Sequence, residues 1–196
     1  MKRHLIVFAK RPRQGRVKSR LARDIGPVAA WGFYRQQLAR LLRRLGRDPR
    51  WVCWLALSPD PAVRDRGWPK GLRRIGQGQG DLGRRMIRAL GQRPPGPAVL
   101  IGSDIPDIDG SHIAAAFERL RRHEAVLGPS GDGGYWLIGF RRTRRLPALD
   151  GVRWSTAQAL SDTRARIGTD IGYAAILEDI DTGADLARWK AGRKAP

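Results

Sequence analysis

The chain is poor in the residues that would advertise a redox, zinc or membrane protein. It carries one cysteine and three histidines. A single thiol excludes an internal disulfide and a cysteine-rich zinc site. Cys53 lies in the apolar run 51–57, where a small buried thiol is a better reading than a nucleophile. His4, His112 and His123 are scattered, with no metal-ligand spacing. Long hydrophobic runs are also missing. The apolar stretch near the start covers only residues 5–9 and is followed at once by Lys10 and Arg11, too short for a secretory core or a membrane span. A cytoplasmic protein without a membrane span is expected.

Acidic residues are scarce as well: 18 Asp and Glu stand against 38 Lys and Arg, a net charge of +20. Such a balance suits nucleic acid, since phosphate neutralisation drives non-specific binding. The cations, however, are spread along the whole chain, with no basic tail and no aromatic-rich recognition motif. Arg40, Arg43, Arg44 and Arg47 fall on or just past one predicted helix, where a solvated face is the default. Most of the excess reads as background and a smaller share as a field that concentrates anionic ligands. Specific nucleic-acid recognition is not expected.

With 196 residues, 41% of them hydrophobic, the chain can bury the core of one α/β domain spanning residues 1–196. Residues 4–9 and 51–57 read as buried strands flanking a helix over 27–45. That helix has Pro27 in its first turn, Gly46 at its end, and Trp31, Tyr34, Leu38, Leu41, Leu42 and Leu45 on one stripe. Such a βαβ opening implies parallel pairing. A turn-rich section, 58–80, leads to a short helix capped by Asp81 and carrying Leu82, Met86 and Leu90. Residues 97–102 form the central strand, Ser111 caps the next helix, and 125–128 and 135–140 are strands joined through a glycine-rich turn. Helices over about 155–166 and 182–190 close the chain. No linker and no internal repeat interrupts it. The fold expected is a mostly parallel central sheet with helices on both faces.

Five segments can carry chemistry. Ser103 and Asp104 fall just past the carboxyl end of the central strand, which Pro106 stops. Ligands of open α/β sheets collect at that edge. A carboxylate there can hold a divalent cation that bridges nucleotide phosphates, although an Asp organising a turn looks the same in sequence. The loop after the first strand supplies Lys10, Gly15, Lys18 and Arg20, a glycine for close backbone approach and cations for phosphate. The loop 76–83 places Gly78 and Gly80 where backbone could lie flat against a ring or sugar, or merely connect to the Asp81 cap. In 128–136, Asp132 with Gly133, Gly134 and Tyr135 could bind a sugar or acceptor, with Asp132 as general base; a hairpin turn is the structural alternative. Finally, Asp179 and Asp181 alternate on an extended segment, so only one faces the site; Asp181 is favoured as a second metal ligand, with Asp179 as the fallback. Thr182 and Asp185 fit a variant capping box.

Together the runs at 8–21, 78–83, 101–107, 128–139 and 179–182 closely resemble a bacterial family of glycosyltransferase-A-like proteins labelled arsenosugar-biosynthesis-type glycosyltransferases. The likeness covers nearly the whole chain in order. It implies a nucleotide-diphospho-sugar transferase fold, with Asp104 in the place of the metal-binding carboxylate at the strand end. The first loop also looks like that of phospholactate guanylyltransferases, nucleotidyltransferases of the same fold, and Asp181 resembles the second metal ligand of related nucleotidyltransferases. One departure stands at the last helix, where Thr182-Gly183-Ala184-Asp185 replaces the usual Thr-Pro-Glu-Asp.

The resemblance implies a transferase that uses magnesium or manganese, a nucleotide-diphosphate sugar and a small-molecule acceptor. Transfer of a nucleotidyl group from a nucleoside triphosphate, with release of pyrophosphate, is the alternative. A non-catalytic nucleic-acid-binding module is the reading from a different class.

Overall fold

The computed structural model describes residues 1–192. Strand β1 (His4–Lys10) is followed by helices α1 (Ser19–Ile25) and α2 (Pro27–Leu45), then β2 (Val52–Ser58) and β3 (Arg73–Gly76). Helix α3 (Leu82–Gly91) precedes β4 (Ala98–Ile101), and α4 (Gly110–Arg119) precedes β5 (Ala125–Pro129) and β6 (Tyr135–Phe140). Helix α5 (Ala159–Ile167), β7 (Ile171–Tyr173) and α6 (Gly183–Gly192) complete the order. The strands form one seven-stranded sheet in the order β3-β2-β1-β4-β6-β5-β7. Only β6 runs against its neighbours, β4 and β5; every other pairing is parallel.

Alternation along β1 shows why both sheet faces are covered. Leu5 and Val7 face a cluster built with Tyr34, Leu38 and Leu41 of α2 and Phe117 of α4. Ile6, between them, faces a second cluster with Met86, Ala89 and Leu90 of α3. A strand apolar on both sides has nowhere to put a polar face, and helices must close both. The mostly parallel α/β reading therefore holds. A smaller cluster of Leu21, Ala30, Ile180 and Leu186 fastens α1 and α6 to α2. No helix among the described residues is long and apolar enough to cross a membrane.

Helix α2 keeps its predicted bounds, with Pro27 in its first turn; Gly46 ends it in a right-handed conformation, its N–H donated to the Leu42 carbonyl. Asp81 caps α3, accepting from the Arg84 N–H at 2.8 Å. Elsewhere the structure corrects the reading. Asp109, not Ser111, caps α4: it accepts from the N–H groups of Ser111 and His112, and His112 closes a capping box. The carboxylate one residue before the helix reaches those donors, whereas Ser111 already lies inside it. Helix α5 begins at Ala159 rather than near Ser155, and α1, β3 and β7 were not foreseen. Cys53 is buried, and burial pushes its thiol up to about 12, as suits a core residue.

Candidate functional site

Strand order reverses between β1 and β4, so the loops that leave their carboxyl ends diverge and open a crevice. A cleft of about 680 Å³ lies there, lined in part by Lys10, Lys18, Ser103, Asp104, Asp132 and Asp181. The loop after β1, the loop after β4, the turn before β6 and the segment before α6 thus converge.

Tyr34 ties the first two loops together. Its hydroxyl accepts from the Lys10 N–H and donates to the Lys10 carbonyl, both at 3.0 Å, and lies 3.2 Å from Ser103 Oγ. Burial, with Asp104 nearby, raises the phenol's pKa, so it stays a neutral strut. Ser103 is buried behind it and holds the loop in place while lining the cleft.

Lys18 is the centre of the charged cluster. Its backbone is left-handed, at φ 49°, and its ammonium lies 2.8 Å from Asp181 Oδ1 and 3.2 Å from Asp104 Oδ1. The side chain is only 5% exposed. Burial alone would lower its pKa, but Asp104 and Asp181 together raise it above the ordinary lysine value. Arg20 Nη1 reaches Asp181 Oδ2 at 3.4 Å from the exposed side. Lys18, a phosphate-binding candidate by its place in the first loop, is the counter-ion of both candidate metal ligands. Asp104 remains open to the cleft, its side chain 51% exposed.

Asp181 faces this cluster, as favoured. Asp179 does not turn away from its field: its carboxyl is pushed up to about 6 by burial first, then by Asp181, with Lys18 opposing and Asp132 and Asp104 adding to the rise. Among the described residues no three acidic, histidine or cysteine side chains are placed to hold a metal alone. Asp104 and Asp181 nevertheless already converge on one cationic group, the Lys18 ammonium. Two such carboxylates suit magnesium when phosphate oxygens complete the shell.

Three expected contributors lie elsewhere. Gly15 sits at an exposed turn with φ 72°, off the cleft wall. Gly78 and Gly80 are not on it either. Arg88 donates to the carbonyls of Gln77 and Gln79 at 3.1 and 2.8 Å and covers the loop, so a ring or sugar cannot lie flat on Gly78. Asp60 accepts from the Gly78 N–H at 2.9 Å on another side.

The turn at Asp132 is both structural and exposed. Asp132 Oδ1 accepts from Ser130 Oγ at 2.6 Å and from the Gly134 N–H at 2.9 Å. Gly133, at φ 82°, cannot be replaced by a larger residue, because a Cβ would stand 2.3 Å from the Ala157 carbonyl oxygen. Gly133 and Gly134 shape the turn, while Asp132 and Tyr135 line the cleft. Tyr135 accepts from Thr163 Oγ1 at 3.3 Å, so its hydroxyl is engaged with α5. Asp185 is structural, accepting from the N–H groups of Asp181 and Thr182 and from Thr182 Oγ1.

Gln77 and Arg85 were missed. Gln77 is buried; its amide donates to the carbonyls of Ala9 and Ala56 at 3.0 and 2.9 Å, and its oxygen accepts from Arg85. Arg85 lines the cleft, lies 5.7 Å over the Phe8 ring, and keeps a buried Nε without a partner. Burial lowers its pKa. Its position three residues after Leu82 and one before Met86 puts a cation on an apolar stripe, a signal that was available.

The architecture is that of the nucleotidyltransferase and glycosyltransferase-A-like α/β proteins. Residues 41–156 match a bacterial family described as uncharacterized protein conserved in bacteria (DUF2064), and the chain belongs to it. A crystal structure from Desulfovibrio desulfuricans G20, a candidate nucleotide-diphospho-sugar transferase, is 29% identical with a TM-score of 0.84, over 100% of this chain and 89% of that one. CMP:2-keto-3-deoxy-manno-octonic acid synthetase, solved with CTP, is 13% identical with a TM-score of 0.59, over 98% of each chain. Rv0371c of Mycobacterium tuberculosis H37Rv, solved with manganese, is 17% identical with a TM-score of 0.56, over 96% of this chain and 97% of that one. The last two likenesses are of fold alone. No curated protein matches the chain.

Proposed function

We propose that the protein is a metal-dependent, glycosyltransferase-like enzyme whose donor is a nucleotide-diphosphate sugar. The observation that carries this reading is the convergence of Asp104 and Asp181 on Lys18 at the β1–β4 crevice. The name of the Desulfovibrio desulfuricans relative supports the donor class. Asp104 and Asp181 would hold magnesium or manganese, which supplies positive charge to the departing diphosphate. Lys10 and Arg20 stand on the same rim, where a phosphate would meet them as charge-assisted donors. Lys18 offsets the mutual repulsion of the two carboxylates and holds them together before the donor arrives. Asp132, whose Oδ2 accepts none of the turn's bonds, faces the cleft as base for an acceptor hydroxyl.

A second reading, nucleotidyl transfer of the guanylyltransferase kind, gains from one observation. Asp132 Oδ1 is already committed to two hydrogen bonds within its own turn, which leaves one oxygen for an acceptor. An anionic phosphate acceptor attacking a triphosphate would need no base at all. The two are separated by incubating the protein with magnesium or manganese, acceptor extracts, and panels of nucleotide sugars or nucleoside triphosphates. Release of nucleoside diphosphate supports the first reading; release of pyrophosphate supports the second.

A further inference from the structure

Two non-glycine residues among those described have a left-handed backbone, Lys18 at φ 49° and Ser155 at φ 60°, and both line the same cleft. Serine gains nothing from that conformation, which glycine adopts without strain and asparagine or aspartate more readily. Residues are held this way when their surroundings over-determine them, and such sites cluster where ligands bind. For Lys18 the reason is visible in its two carboxylate partners. Ser155 has no comparable partner: no hydrogen bond involves it among the described residues.

The neighbours of Ser155 supply the clamp. On one side Trp154 lies against Gly83 of α3, where a Cβ would be 2.7 Å from its ring, and meets the Tyr135 ring edge-on at 6.5 Å. On the other, Thr156 Oγ1 donates to the Arg153 carbonyl at 2.7 Å, and Ala157 rests on Gly133. Leu160 N–H donates to the Gly133 carbonyl at 3.0 Å, locking the segment to the Asp132 turn. An exposed hydroxyl is thereby held at the cleft wall by a fixed, strained backbone.

We infer that Ser155, with Asp132 and the Tyr135 ring, forms a subsite for a neutral polyhydroxylated group, the sugar of the donor. The Ser155 hydroxyl can donate to or accept from a sugar hydroxyl, Asp132 Oδ2 accepts from one, and the Tyr135 ring offers an apolar wall to the C–H face. The inference rests on the donor reading above and adds where the sugar, rather than the diphosphate, is held.

The test is calorimetric titration, in magnesium, of UDP, GDP, UDP-glucose and GDP-mannose into wild type, Ser155→Ala and Ser155→Gly. The readout is the sugar increment, the ratio of nucleoside-diphosphate to nucleotide-sugar dissociation constants. Both variants should reduce that increment roughly 2–10-fold, the span of one hydrogen bond, and leave UDP and GDP affinity unchanged. Ser155→Gly should also raise the melting temperature by roughly 2–4 °C as strain is released. A turn serine would give the same thermal gain with the sugar increment intact in both variants, and that result overturns the inference. So does a wild type that binds the diphosphates without any sugar increment, a result that leaves the diphosphate site standing. A wild type that binds none of the four would overturn the donor reading and this inference with it.

Discussion

The two ends of the sheet carry cavities of similar size and opposite chemistry. At the carboxyl ends of the strands, the cleft of about 680 Å³ sets Lys18, Arg20 and Arg85 against Asp104, Asp132 and Asp181. At the other end, a cavity of about 750 Å³ is lined by Arg3, Arg121, Arg141, Arg142 and Arg144 over Phe117 and Leu120, with no carboxylate in its wall. The larger cavity reflects the chain's general excess of arginine. The smaller one holds a buried ammonium, Lys18, at defined distances from two partly exposed carboxylates, and a buried charge persists only where such pairing repays its desolvation. Volume and positive charge alone therefore do not mark the site in this protein; charges that are paired and aimed do.

The largest effect that sharpens this contrast concerns Asp132. Asp132→Asn keeps the bonds from Ser130 and Gly134, since asparagine supports the same turn. Turnover should nevertheless fall roughly 10²–10⁴-fold, with melting temperature and nucleotide affinity near wild type. Normal turnover would return Asp132 to the turn and favour nucleotidyl transfer to an anionic acceptor.

Next in size is a matched pair of double variants. Lys10→Ala with Arg20→Ala should weaken a nucleoside diphosphate far more than the nucleoside, by roughly 10-fold or more per lost charge-assisted contact. Arg142→Ala with Arg144→Ala, at the opposite end, should change neither. Equal losses from both pairs would show that bulk charge, not the cleft, binds phosphate.

The smallest effect is thermal. The Asp179 carboxyl stands at about 6 in the fold, against an ordinary 3.8, chiefly through burial and then Asp181. A raised carboxyl favours the protonated folded state, so stability falls as pH climbs from the unfolded value through about 6 and stays reduced above it. Asp179→Asn cannot ionise. In EDTA it should match wild type near pH 3.5 and exceed it near pH 7.5 by roughly 2–4 °C, about 1 kcal/mol after allowing for partial exposure. Equal melting temperatures at both pH values would show that Asp179 lies outside the cluster's field.

What sequence could show differed along the chain for physical reasons. Strands β1, β2 and β4 are apolar on both faces and α2 has a continuous stripe, so hydrophobic pattern alone located them. Strand β3 begins with Arg73 and Arg74 because it is an edge with solvent on one side, and cations hid it. Helix α1 buries only Leu21, too little periodicity to see after a basic loop. In the site, the place of Asp104 at the crevice was legible because it follows a buried strand's carboxyl end, although a turn Asp would look the same in sequence. Lys18 was found, but its pairing with Asp104 and Asp181 depends on residues far apart in sequence. Gly78 and Gly80 were misplaced because side chains of a later helix reach back against them, Arg88 over Gly78 and Arg84 over Gly80. Ser155 gave no signal, since a positive φ at a serine depends on tertiary packing, here of Trp154 on Gly83 and Ala157 on Gly133.

The central claim is that Asp104 joins a nucleotide's phosphates to a divalent cation at the β1–β4 crevice. It is tested most directly by titrating UDP and GDP, with magnesium and with EDTA, into wild type and Asp104→Asn of equal melting temperature. The account predicts that magnesium tightens binding to wild type and leaves the variant's affinity at its EDTA value, because a site of one or two carboxylates needs both ligands and phosphate. The same magnesium-dependent gain in Asp104→Asn would contradict it.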